Sequence, residues 1–211
     1  MIVSKSVWEH FRNVALSAEY YDSKDKARSL KVKKWGDREI NIYFTGNFLK
    51  NDLEIVMTTT TELEKYTNLK FKIITDKYFK NTNSIVIYIG KYNVYAKHIS
   101  LDKSIDYYDV YGLCEIKVDN TNTIIASSIY IDNNLTAKQR ENVIIEELTQ
   151  SLGFTNDTKI DTRSIFYQYK NNLNYKFKYN KNDIEVIKLL YNKNIKTNST
   201  EDDLLKYITV K

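Results

Sequence analysis

Glu146, Glu147 and Gln150 fall within the run Arg140 to Asp157 at the spacing of a metal-binding helix, but with no imidazole at the ligand positions. In a His-Glu-x-x-His helix, two imidazoles one turn apart hold zinc, and the glutamate beside the first activates water as a general base. Here Glu146 and Gln150 fill the two ligand positions and Glu147 fills that of the base. The longer form of the pattern adds a glycine three residues on, where the helix stops, and a third ligand three residues further. Gly153 and Asn156 stand at those offsets, with Asp157 adjacent.

The chain has two histidines, His10 and His98, and neither is in this run, so a three-histidine zinc site is excluded for a single chain. Glu146, Gln150, Asn156 and Asp157 offer oxygen donors only, which suit calcium, magnesium or manganese better than zinc. Further oxygens or waters would be needed to complete a calcium shell. With a divalent cation, Glu147 is the candidate catalytic base for hydrolysis. A metal-free acid pair is weaker, because adjacent helical positions point about 100° apart. A third option involves no reaction: Gln150 both donates and accepts, so it can bridge a carboxylate to a backbone group and hold the fold.

The helix that positions these groups is expected from Thr136 to Gly153. Thr136 and Gln139 form a Thr-x-x-Gln capping box, and Gly153 is a natural left-handed terminator. Ile144, Ile145, Leu148 and Leu152 share one face, opposite Val143, Glu146, Glu147 and Gln150. Periodicity alone reads the second face as solvated. Upstream, Val7, Phe11, Val14, Ala15 and Ala18 mark an N-terminal helix, and Glu39 to Thr45 a strand closed by Gly46-Asn47. Asn51 or Asp52 is expected to cap a helix running to Tyr66. Strands are expected over Lys70 to Thr75, Ser84 to Ile89, Val110 to Val118 and Thr123 to Ile131, the last two joined by the turn Asp119 to Asn122. Ile184, Ile187, Leu190 and Tyr191 mark another helix, and Thr200 with Asp203 caps the last. The order gives an α+β protein with no linker to divide it.

Four blocks in one order carry a resemblance: Glu146 to Gly153, Asn156-Asp157, Ser164 to Gln168, and Ile187 to Asn194. On these the chain resembles the bacterial zincin-like family called domain of unknown function 2927. The resemblance implies a metzincin-like fold with a twisted mixed sheet, N-terminal helices, a motif helix and C-terminal helices, formed as one domain. The upper part would extend to about residue 153 and the lower part cover 154–211. It implies metallopeptidase-like ancestry, with peptide hydrolysis through Glu147 or a catalytically silent binding or scaffold protein as its rival. By analogy Ala126 to Ile131 is the strand edge that receives an extended peptide, with Ala126, Ser128 and Tyr130 as substrate-binding residues. Ser164 and Phe166 would form the cleft floor, and a peptide or protein is the partner implied.

Composition bounds the rest. The chain's 211 residues at 42% hydrophobic content can bury a full core, and a net charge of +5 is a weak pointer to nucleic acid. Tyr167 to Lys181 interleaves aromatic and lysine residues, which could stack bases; a half-buried hairpin is the preferred reading, so nucleic acid is not the expected partner. Lys24 to Arg38 is basic but diluted by aspartates. Cys114 is alone and expected to fill core. No apolar run approaches the ~20 residues of a membrane span. Polar residues interrupt the N-terminus, so the chain is either cytoplasmic or, as the resemblance favours, exported after loss of a leader.

Overall fold

The structure is a computed structural model that describes residues 1–17, 30–36, 38–74, 82–98, 110–167 and 175–211. Ala18, Thr75, most of the basic segment before Arg38, and residues 168–174 of the aromatic stretch lie outside the described residues.

Strand β1 (Ile2–Val3) leads into α1 (Lys5–Ala15), which Ser4 caps by accepting the Val7 N–H. Val7, Trp8, Phe11, Val14 and Ala15 recur at helical spacing and turn inward together. The short β2 (Lys34–Trp35) precedes β3 (Glu39–Gly46), after which α2 (Lys50–Tyr66) crosses to β4 (Lys70–Ile74). The N-cap of α2 is Leu49 rather than Asn51 or Asp52. Asp52 sits three residues into the helix instead, and its carboxylate reaches back to accept the Leu49 N–H at 2.7 Å. The four threonines Thr58 to Thr61 are tolerated because each hydroxyl donates to the carbonyl one turn earlier, at 2.8–2.9 Å.

Strand β5 (Ser84–Gly90) is followed by α3 (Tyr92–His98), a helix that the periodicity did not announce. Strands β6 (Gly112–Val118) and β7 (Thr123–Asp132) form the expected hairpin, and α4 (Ala137–Gln150) is the motif helix. Helices α5 (Lys181–Leu190) and α6 (Glu201–Leu205) precede β8 (Thr209–Val210), which pairs in parallel with β1. No helix among the described residues is long and apolar enough to cross a membrane.

The main sheet runs β2-β7-β5-β3-β4, with β6 also paired to β7. All of its pairings are parallel except that of β6. The result is a mixed, mostly parallel sheet consistent with the α+β class. Ile85, Ile87, Ile89, Ile129 and Ile131 join the main core with Ile144, Ile145 and Leu148 of α4. Leu113 and Tyr130 turn the other way and form a smaller cluster with Tyr95 of α3.

This topology corrects one expectation. Ala126 to Ile131 is not a sheet edge: β7 pairs with β5 from Ala126 to Asp132 and with β6 across the same stretch, so both its flanks are hydrogen-bonded. The hairpin that the sequence announced is what covers the supposed open side.

Candidate functional site

Helix α4 is fixed at both ends. Thr136 and Gln139 form the expected capping box, and Gly153 has φ +117°, a conformation that side chains with a Cβ rarely adopt. A Cβ at Gly153 would also collide with the carbonyl oxygen of Lys33. The last carbonyls of a helix have no intrahelical donor. Here the Trp35 indole donates to Ser151 O at 2.9 Å and the Tyr191 hydroxyl to Leu152 O at 2.8 Å. Tyr179 and Thr149, both buried, join their hydroxyls at 2.7 Å.

The motif face is not the solvated side that periodicity suggested. Glu147 is only 6% exposed, and Glu146 and Gln150 are half-buried. Gly112, the first residue of β6, makes room for the burial, since a Cβ there would strike Val143 and the Glu147 carboxylate. Burial and then the Glu147 charge push the Cys114 thiol above its ordinary range; burial first, with lesser electrostatic causes that include Glu147, raises the Tyr95 phenol. Cys114 keeps some surface contact, yet its sulfur lies 3.5 Å from the Ser127 hydroxyl, facing the main core as expected of a filler.

The four candidate ligands do not converge on one point. Glu146 accepts from Asn142 at 3.3 Å, within its own helix. Gln150 Nε2 donates to Asp157 Oδ1 at 2.8 Å, so these two are brought together by a hydrogen bond. Asn156 turns away to α1, donating to the Asn13 carbonyl and side-chain oxygens, both at 3.0 Å. Thr155 adds bonds to the carbonyls of Val14 and Ser17, so this loop caps the end of α1. Zinc does not fit a set of oxygen and amide donors arranged in this way. Among the described residues, no three of His, Cys, Asp and Glu stand where they could hold a metal ion.

Ser164 and Phe166 underlie the same loop. Phe166 is fully buried, with ring centroids 5.0 Å from Phe154 and 6.0 Å from His10, and its carbonyl accepts the Thr158 N–H. Ser164 donates to Asp183 Oδ1 at 2.6 Å, and His10 Nε2 lies 3.1 Å from the same oxygen. His10, Ser164 and Asp183 therefore form a buried joint between α1, this turn and α5. Sequence reasoning missed Asp183, although Asn180-x-x-Asp183 spells a capping box that the structure contains. It also missed Trp35, Tyr179 and Tyr191 as anchors of α4, because their partners are distant in the chain.

The residues put forward for substrate binding lie elsewhere. Tyr130 belongs to the α3-side cluster, and Ser128 accepts the Tyr95 hydroxyl at 3.1 Å on that same face. Ala126 shares their parity. All three face away from α4 and Glu147, because β-strand side chains alternate and Ile129 and Ile131 occupy the motif side. The aromatic stretch is also partly committed: Tyr179 is buried against α4 rather than open for stacking, and residues 175–180 are irregular rather than paired as a hairpin.

Glu115 stands on that far face, directly across from Ser128, and burial pushes its carboxyl up to about 7. A raised acid favours the protonated fold, so its contribution is complete below the ordinary value near 4.5 and is lost as pH rises through about 7. We expect Glu115→Gln to flatten stability between pH 5 and 8. At pH 8 the gain should be about 1–2 kcal/mol, discounted from the ~3 of the full shift because the group is only partly buried. Urea titrations of both proteins at several pH values check this.

Fold and site together define a mixed helix-and-sheet protein whose motif helix presents buried and half-buried acidic and amide groups. Residues 4–210 match the model of the family described as a protein of unknown function, DUF2927, and the chain belongs to that family. No curated protein matches the chain.

Proposed function

We propose that this chain is a catalytically silent binding protein of zincin-like architecture, in which hydrogen bonds have taken the place of a metal. One observation supports the reading above the others: the 2.8 Å bond from Gln150 Nε2 to Asp157 Oδ1. A carboxylate accepts, so the amide turns its nitrogen toward Asp157 and its oxygen away, and in this arrangement the two residues do not present their oxygens to one shared ion. The bond ties the end of α4 to the following loop, the mechanical task that a shared metal performs in a peptidase. An extended peptide is the ligand this architecture suits. Its docking edge moves from β7 to β6, which among the described residues pairs with β7 alone.

Hydrolysis keeps one observation in its favour, the burial of Glu147 against Gly112 beside the motif. The two readings separate in one experiment. Fluorogenic peptides incubated with the protein and zinc, calcium, magnesium or manganese should stay intact, and none of these ions should raise the melting midpoint. Gln150→Ala should cost about 1–2 kcal/mol through loss of the tie. Cation-dependent turnover that Glu147→Gln abolishes would overturn the silent reading in favour of the hydrolase.

A further inference from the structure

A recess of about 170 Å³ opens between α2 and α4, on a part of the motif helix that carries none of the candidate ligands. Glu54, Thr58 and Glu62 follow one another at four-residue spacing along α2, and Glu141 faces them from α4. Ile55 and Ile145 supply apolar lining, and Phe177 and Tyr179 contribute rings.

The polar lining is almost wholly accepting. Thr58 and Thr59 commit their hydroxyl protons to the carbonyls of Glu54 and Ile55, at 2.9 and 2.8 Å, leaving only lone pairs for a visitor. The Glu141 carboxylate makes no hydrogen bond or ion pair among the described residues. Glu62 spends one lone pair on the Tyr66 hydroxyl at 3.0 Å. Glu54 meets Lys50 at 3.5 Å, but both are exposed, and such a pair is readily exchanged. Among the described residues of the lining, Lys178 alone opposes the three carboxylates. The occupant that fits must donate hydrogen bonds, carry positive charge and have an aliphatic stem for the isoleucines and rings.

Size narrows the choice. The space falls below the roughly 300–1,000 Å³ of pockets for drug-sized ligands, so it suits one side chain rather than a whole cofactor. We propose that this recess receives a lysine or arginine side chain from a second protein. Phe177, 39% exposed beside it, supplies apolar contact for the flanking part of that partner.

Titration of isotope-labelled protein with acetyl-tetralysine amide tests the assignment. Saturable shifts are expected at Thr58, Thr59 and Ile145, weakening steeply with salt because the contacts are partly solvated. Glu54→Gln/Glu141→Gln, which alters two surface positions, should weaken binding about five-fold or more. Glu141→Gln alone should show an intermediate loss, which keeps the test valid if the double variant proves unstable. The same peptide with acetylated lysine side chains should produce no shifts. Equal affinity in the variants, equal binding of the acetylated peptide, or shifts confined to other surfaces would overturn the proposal. Cadaverine binding as tightly as the peptide would overturn the assignment to a protein partner and leave a small cation instead.

Discussion

Asp183→Ala should destabilise the protein by about 3–5 kcal/mol, a large fraction of the 5–15 kcal/mol that holds a domain folded. Asp183 is fully buried and its two oxygens serve four donors. Oδ1 takes the Ser164 hydroxyl at 2.6 Å and faces His10 Nε2 at 3.1 Å; Oδ2 takes the backbone N–H groups of Ile165 and Asn180 at 3.1 and 3.0 Å. Truncation strands these groups in a buried site, and each buried donor left unmet costs about 1–3 kcal/mol. The capping box at the start of α5 also loses half of its reciprocal bonds. Asp183→Asn should cost less, because the amide oxygen replaces one acceptor while its nitrogen brings donors to a cluster already rich in them. The check is denaturant unfolding of both variants. A loss under 1 kcal/mol for Asp183→Ala would mean that the joint does not hold α1 and α5 together.

That joint shows what the sequence could and could not disclose. Local chemistry was legible: the Thr136–Gln139 and Thr200–Asp203 boxes, the left-handed Gly153 and the β6–β7 turn all depend on neighbours within a few residues. The strands were legible because they are short runs rich in branched and aromatic residues bounded by turn residues. What failed was anything decided across the chain. Periodicity alone makes Glu147 solvated, because its helix has an apolar stripe opposite; nothing within that helix announces that Gly112, thirty-five residues upstream, leaves a space for the carboxylate. The analogy alone makes Ala126 to Ile131 an edge, whereas the turn Asp119 to Asn122 marks the preceding strand as its hairpin partner. Short β1, β2 and β8 have too few residues to display a period, and α3 is too short to show a stripe. Asn156 illustrates the same limit at the site: its offset suits a metal ligand, while its hydrogen bonds make it a cap for α1.

Arg140→Ala is expected to cost about 3–5 kcal/mol for a related reason, and its partner makes the explanation testable. Arg140 donates through Nη1 to Asp52 at 3.1 Å and through Nη2 to the Asn133 carbonyl at 2.9 Å. Asp52 is 1% exposed and also holds the Leu49 N–H, so one buried pair fixes the starts of α2 and α4 relative to the end of β7. Removing the guanidinium leaves a carboxylate without its countercharge in a low-dielectric site, and that stranded charge is the main cost. Removing both partners should therefore hurt less than the sum of the single losses. A double-mutant cycle with Asp52→Ala should give a coupling of about 2–3 kcal/mol, and Arg140→Met with Asp52→Leu should recover part of the stability by filling the space. High salt should change the coupling little, since ions do not reach a buried pair. Single losses that simply add, or a coupling that vanishes in salt, would show the pair to be a solvated contact with no part in orienting the motif helix.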